Sequence, residues 1–229
     1  MTKFVLNVRH RPKMTETIEQ RFLHFVAVVS NLPSPWGLVE GKGLKLPQVG
    51  TALSTHAKLR GKLGAGISGD LKIQYRDPTN LNDRAADDDA AVVEFDSSKV
   101  GWRQLIEDGL PGYVRAMGAY IGHLYRWDEA PAEWILLKDA ARKAGRNLDG
   151  RDGFFRFGPV SFMDRELCRR GCNGMTPEQV AERLAGIVPD ARLFDDGVLI
   201  VAANHFPEQA EIVATDRRIR ERLDLPIWD

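Results

Sequence analysis

Five histidines, two cysteines and a run of aspartates are the side chains in this 229-residue chain with chemistry to offer, and spacing decides how much of it is usable. His10, His24, His56, His123 and His205 are scattered, and none forms the helical i, i+4 pair that grips a zinc ion. His123 precedes Asp128 closely enough for a carboxylate to orient an imidazole as general base, yet its surroundings read as an ordinary helix surface. Ser161 follows Gly158 and Pro159 and lacks the Gly-x-Ser-x-Gly elbow that exposes an esterase nucleophile. Cys168 and Cys172 share one face of a helical pattern; a bond between them would close too small a loop to stabilise the chain, and zinc would need two more ligands. They read as buried free thiols. No catalytic residue, metal ligand or cofactor site is assigned on these grounds.

Two other stretches are read as contacts. Asp87, Asp88 and Asp89 lack the glycine and closing glutamate of a calcium loop, so they are expected to form an exposed acidic tip that steers a basic protein partner. Trp36 lies between Pro35 and Gly37 in a stretch without periodicity, where an exposed indole calls for something to cover it. The run Gly64-Ala65-Gly66-Ile67-Ser68-Gly69 has the letters of a dinucleotide fingerprint, but Leu71, Ile73 and Tyr75 alternate behind it as a strand does, where a nucleotide loop would open a helix. A turn is expected there.

The elements that must position these groups follow from periodicity. Phe4, Leu6 and Val8 alternate as in a half-buried strand; Thr17 and Gln20 then have capping-box spacing, and Ile18, Phe22, Phe25 and Val29 recur with helical period. A Gly/Pro-rich excursion over 33–69 follows, with a short helix expected from Thr51 to Leu59, then strands at Leu71–Tyr75 and Ala91–Phe95. Pro111 is read as starting a helix through Val114, Met117, Tyr120, Ile121 and Leu124, and Pro131 another carrying Trp134, Leu136, Leu137 and Ala140. Asp149-Gly150 and Asp152-Gly153 supply turns and the best internal boundary. Beyond it come a strand over Phe154–Val160, helices opened by Asp164 and by the Thr176-Pro177-Glu178-Gln179 box, a turn at Asp195-Asp196-Gly197, an all-apolar strand Val198–Ala203, and a last helix with Arg217, Arg218, Arg220 and Arg222 outward.

This order predicts an α+β protein: two βαββα, ferredoxin-like halves over 1–148 and 149–229, or one continuous domain with a mainly antiparallel sheet flanked by helices. No apolar run reaches a membrane span and no secretory leader pattern opens the sequence, so a cytoplasmic protein is expected, with a bacterial cast to its Ala, Arg, Gly and Asp content. The formal net charge of zero argues against a coat for nucleic acid, but residues 1–80 hold 12 Lys+Arg against 5 Asp+Glu, a split that suits a charged partner. The favoured function is therefore partner binding, for instance by a bacterial immunity-type protein that neutralises a toxin domain. An RNA-associated ferredoxin-like module ranks second, and a hydrolase or transferase with a His/carboxylate site third.

Overall fold

The computed structural model describes residues 2–46, 54–77 and 85–228. The chain is mixed α+β and divides into two compact units, Met1–Ala119 and Tyr120–Asp229. In the first unit β1 (Lys3–His10) is followed by α1 (Ile18–Ser30), β2 (Ser54–Lys58), β3 (Ile67–Gln74), a 3-10 turn at Ala85–Asp87 and β4 (Asp89–Asp96). A helical arm then runs through α2 (Trp102–Gln104), a π-helical turn at Leu105–Gly109 and α3 (Leu110–Met117). The strands are antiparallel in the order β2-β3-β4-β1, with Phe4 opposite Phe95, Leu6 opposite Val93 and His10 opposite Asp89. Period-two alternation places Phe4, Leu6, Val8, Leu71, Ile73, Ala91, Val93 and Phe95 on the face that α1 and α3 cover. The predicted capping box forms: the Gln20 amide donates to Thr17 Oγ1, and the Thr17 amide to Gln20 Oε1.

Three expectations in this unit are corrected. Within the excursion, residues 54–58 form an edge strand paired to β3, whereas a helix was read there; Pro47 and residues 51–53 of that reading lie outside the described residues. Gly109-Leu110-Pro111 does not break the helical arm, because the π-helical turn absorbs the residues ahead of Pro111. The third is the helix read through Leu124. It stops at Gly118, whose left-handed backbone (φ 51) caps α3, and the chain re-enters as a strand. The division between units consequently falls at Ala119/Tyr120 and not at 148/149.

The second unit runs β5 (Ile121–Arg126), α4 (Ala130–Ala144), β6 (Val160–Asp164), α5 (Arg165–Gly171), α6 (Pro177–Leu184), β7 (Asp190–Phe194), β8 (Gly197–Val201) and α7 (Gln209–Arg222). Its strands are again antiparallel, ordered β5-β6-β8-β7. Every residue of β8 is buried, as its apolar sequence requires of a strand covered on both faces. Gly197 has no room for a side chain: a Cβ there would lie 2.1 Å from the Met163 carbonyl oxygen. Met163, Leu167, Cys168, Cys172, Val180, Leu184, Val198, Ile200 and Ile219 share one core between the sheet and α5–α7. The strand expected at Phe154–Val160 begins only at Val160; Phe154 and Phe157 stack edge to face in the preceding loop, 4.5 Å between centroids. Among the described residues no helix is long and apolar enough to cross a membrane.

Candidate functional site

The acidic stretch is where sequence and structure part most sharply. Asp88 and Asp89 are 1% and 0% exposed, so the expected exposed tip is an internal anchor. Asp89 opens β4 and accepts from the Gln74 amide at 2.8 Å and from both terminal nitrogens of Arg76 at 2.9 and 2.7 Å. Asp88 lies 3.5 Å from Arg9, and the Lys72 ammonium donates to the Ala86 carbonyl at 2.7 Å. Burial pushes Lys72 below the ordinary lysine range, against the pull of Asp88, Asp87 and Asp89. Buried carboxylates must be paired, and Arg9 of β1 and Arg76 just past β3 supply the pairs. Only Asp87, half-buried, keeps part of its carboxylate in water.

Trp36 is likewise internal. It is 0% exposed and meets Phe95 edge to face at 5.4 Å and Tyr113 at 6.4 Å, while the Tyr113 hydroxyl donates to its carbonyl. Gly109 makes room for the indole: a Cβ there would lie 2.7 Å from the ring. The tryptophan expected as an exposed contact fills the core beneath the excursion, because the Pro33 carbonyl accepts from its amide and turns it inward.

Around the same end of β1 lies a second set of groups with no motif signal. The His10 imidazole is buried, with Nδ1 2.9 Å from the Gly118 carbonyl and Nε2 3.3 Å from Glu16. Arg21 donates to the carbonyls of Met117 at 2.8 Å and Ala116 at 3.0 Å, satisfying the last turn of α3, and stands 3.6 Å from Glu16. Arg76 is 3.5 Å from the same carboxylate. One ligand atom each from His10, Glu16 and Asp89 lie within 4.8 Å of one another. Arg21 was findable, since it occupies the helical face of Phe25 and Val29, and an arginine at a core position needs partners.

The remaining histidines do not converge. His24 reaches the Arg115 carbonyl at 3.1 Å, His56 the Ser54 hydroxyl at 3.1 Å, and exposed His205 the Glu211 carboxylate at 3.2 Å. His123, expected on a helix surface, lies in β5 and stacks on Tyr125, and Asp128 is held by Arg126 through a two-point contact at 3.2 and 2.9 Å. The Ser161 hydroxyl accepts from the Gly158 amide and closes a turn. Both cysteines are free and 0% exposed, and burial pushes the Cys172 thiol up to about 12. A recess in the second unit, lined by Phe157, Pro159, Ala202, Pro207, Ile212 and Thr215, encloses about 190 Å³ of empty space, below the size of a substrate pocket.

The second unit instead exposes several large apolar side chains on and beside α4. α4 packs a narrow strip, Leu137, Ala140, Ala141 and Ala144, against Leu148, Phe155 and Trp228. Trp134, Ile135 and Leu136 point outward: Trp134 is 53% exposed, Ile135 63%, Leu136 38%, and Trp127 ahead of the helix 50%. Small residues on the inner face let the helix sit close, and that turns the larger ones to water. Lys138 lies over the Trp134 ring at 5.1 Å.

No family model and no curated protein matches the chain. Among solved structures, the Pseudomonas aeruginosa T6SS protein PA0821 is similar over 97% of this chain and 72% of its own, at 14% identity and a TM-score of 0.42. Likeness at that level carries no functional argument.

Proposed function

We propose that the chain is a partner-binding protein of the immunity type, which neutralises a toxin domain by covering it with the outward stripe of α4. The observation that carries this reading is the exposure of Trp134 and Ile135, side by side on a helix whose inner face is already packed. Large apolar side chains held in water at one place are the residues that become binding hot spots when a partner desolvates them. Of the contacts expected from the sequence, Trp36, Asp88 and Asp89 are internal and drop out, and Asp87 is half-buried in the first unit. The RNA-associated reading lacks a stacking platform. On the sheet face of the first unit turned away from α1 and α3, Arg9, Lys58 and Lys72 alternate with Asp70 and Glu94, without Phe, Tyr or Trp among the described residues.

The test is co-expression with the protein encoded by the neighbouring gene. Wild type is expected to form a stoichiometric complex and to relieve any toxicity of that protein. Trp134→Ala and Ile135→Glu should each weaken the complex by about 2–4 kcal/mol, while the variants' own stability stays within about 0.5 kcal/mol of wild type. A complex that tolerates both changes, or purified protein that turns over a small substrate and captures no partner, overturns the reading.

A further inference from the structure

The His10 ring is 5% exposed, and its Nδ1 lies against the Gly118 carbonyl, an atom that can only accept; Nδ1 therefore carries the ring proton and Nε2 presents a lone pair. That lone pair is aimed at Glu16 Oε2, 3.3 Å away; neither atom has a hydrogen-bond partner, and the Arg76 guanidinium, 3.5 Å from Oε2, lies beyond hydrogen-bond reach of it. Two acceptors facing each other out of water repel unless something positive sits between them. We propose that His10, Glu16 and Asp89 bind one divalent transition-metal ion of the zinc class.

The three ligand atoms already lie within 4.8 Å of one another. Drawing them onto bonds of about 2.0–2.2 Å requires the carboxylates to close inward, and Glu16, a quarter exposed in the loop ahead of α1, has the freedom to do so. One imidazole and two carboxylates suit zinc or manganese. The supporting groups are those a metal-ligating histidine uses, since the ring nitrogen that does not bind metal donates to a backbone carbonyl and so fixes the ring. Asp89 is held in place by the Gln74 amide and Arg76, and Oδ2 takes only one of those bonds, which leaves it a lone pair.

A proton is the competing occupant, and it would bridge one pair of atoms where a metal ion takes lone pairs from all three. With Nδ1 donating to the Gly118 carbonyl, Nε2 offers its lone pair, and a neutral imidazole is the form a metal needs. Arg76 and Arg21 already balance the two carboxylates, so the ion adds net positive charge. Its affinity is accordingly lower than that of an all-anionic site.

The experiment strips the purified full chain with chelator and titrates it with Zn²⁺ by calorimetry and with Co²⁺ by absorption spectroscopy. One ion per chain, a melting temperature that rises with Zn²⁺, and visible Co²⁺ bands are expected. Glu16→Gln should weaken Zn²⁺ binding at least about tenfold and remove the bands while circular dichroism shows a folded chain. His10→Gln should do the same; if that buried variant does not fold, Glu16→Gln alone decides. Folded wild type that takes up no ion overturns the site, as does binding unchanged in Glu16→Gln.

Discussion

At the scale of single residues, the charged side chains that matter most are those a sequence reader assigns to water. Arg220 was grouped with Arg217, Arg218 and Arg222 as an outer basic cluster, yet it is 2% exposed. It grips Asp216 through both carboxylate oxygens at 3.0 Å and donates to the carbonyls of Pro226, Phe154 and Phe155. Asp216 in turn accepts from the Phe157 amide at 2.7 Å, so one ion pair on α7 organises the aromatic loop before β6. Burial pushes Asp216 up and Arg220 down from their ordinary values, which marks the desolvation that the pairing must offset. Arg220→Met should therefore cost about 3–5 kcal/mol in urea unfolding, because it leaves a buried carboxylate and loop carbonyls without their donor. A loss below about 1 kcal/mol would show that water reaches the loop. Identity alone could not reveal this. Arg220 stands beside Ile219 among other arginines of α7, and only the packed partner tells this inward arginine from its outward neighbours.

At the scale of elements, periodicity located most of what it was asked to locate. β1, α1, β3, β4, α6, β8 and α7 lie where their patterns put them, and both capping boxes close. The failures share a cause, which is a sequence that fits two periods at once. Tyr120, Ile121 and Leu124 sit at helical spacing after Met117, but Gly122, Leu124 and Arg126 share one buried strand face; the left-handed backbone of Gly118 decides for β5. In α4 the apolar residues surround the helix, so the moment does not say which side is packed, and the alanine strip wins because it allows closer approach. The candidate site was less legible still. His10 and Asp89 are 79 positions apart in sequence and meet only through the β1–β4 register. β8 offers a direct check on the sheet. Leu199 is 0% exposed, and Leu199→Ala should destabilise the chain by about 2–5 kcal/mol in chemical denaturation. A change near zero would mean that β8 is not covered on both faces.

At the scale of the whole molecule, the linear charge split does not survive folding into units. The acids of residues 81–119 fall in the first unit with the basic N-terminal stretch, which leaves that unit with 16 Lys+Arg against 13 Asp+Glu and the second with 16 against 19. On and beside α4, Arg142 pairs with Asp139 at 2.8 Å, Arg156 with Glu133 at 2.7 Å and Arg126 with Asp128 at 2.9 Å, so these charges cancel at short range. The consequence concerns speed. A surface whose opposite charges are matched within a few ångströms casts little field beyond a Debye length, so it gives an approaching molecule no long-range guidance. Capture by the α4 stripe should then proceed at the unassisted rate of about 10⁵–10⁶ per molar per second, and should change less than about tenfold between roughly 50 and 500 mM salt in stopped-flow mixing. A steeply salt-dependent rate would place the docking surface somewhere other than this apolar helix. With the encounter unassisted, the proposed complex would owe its hold to a long lifetime, which the indole of Trp134 and the side chain of Ile135 would set.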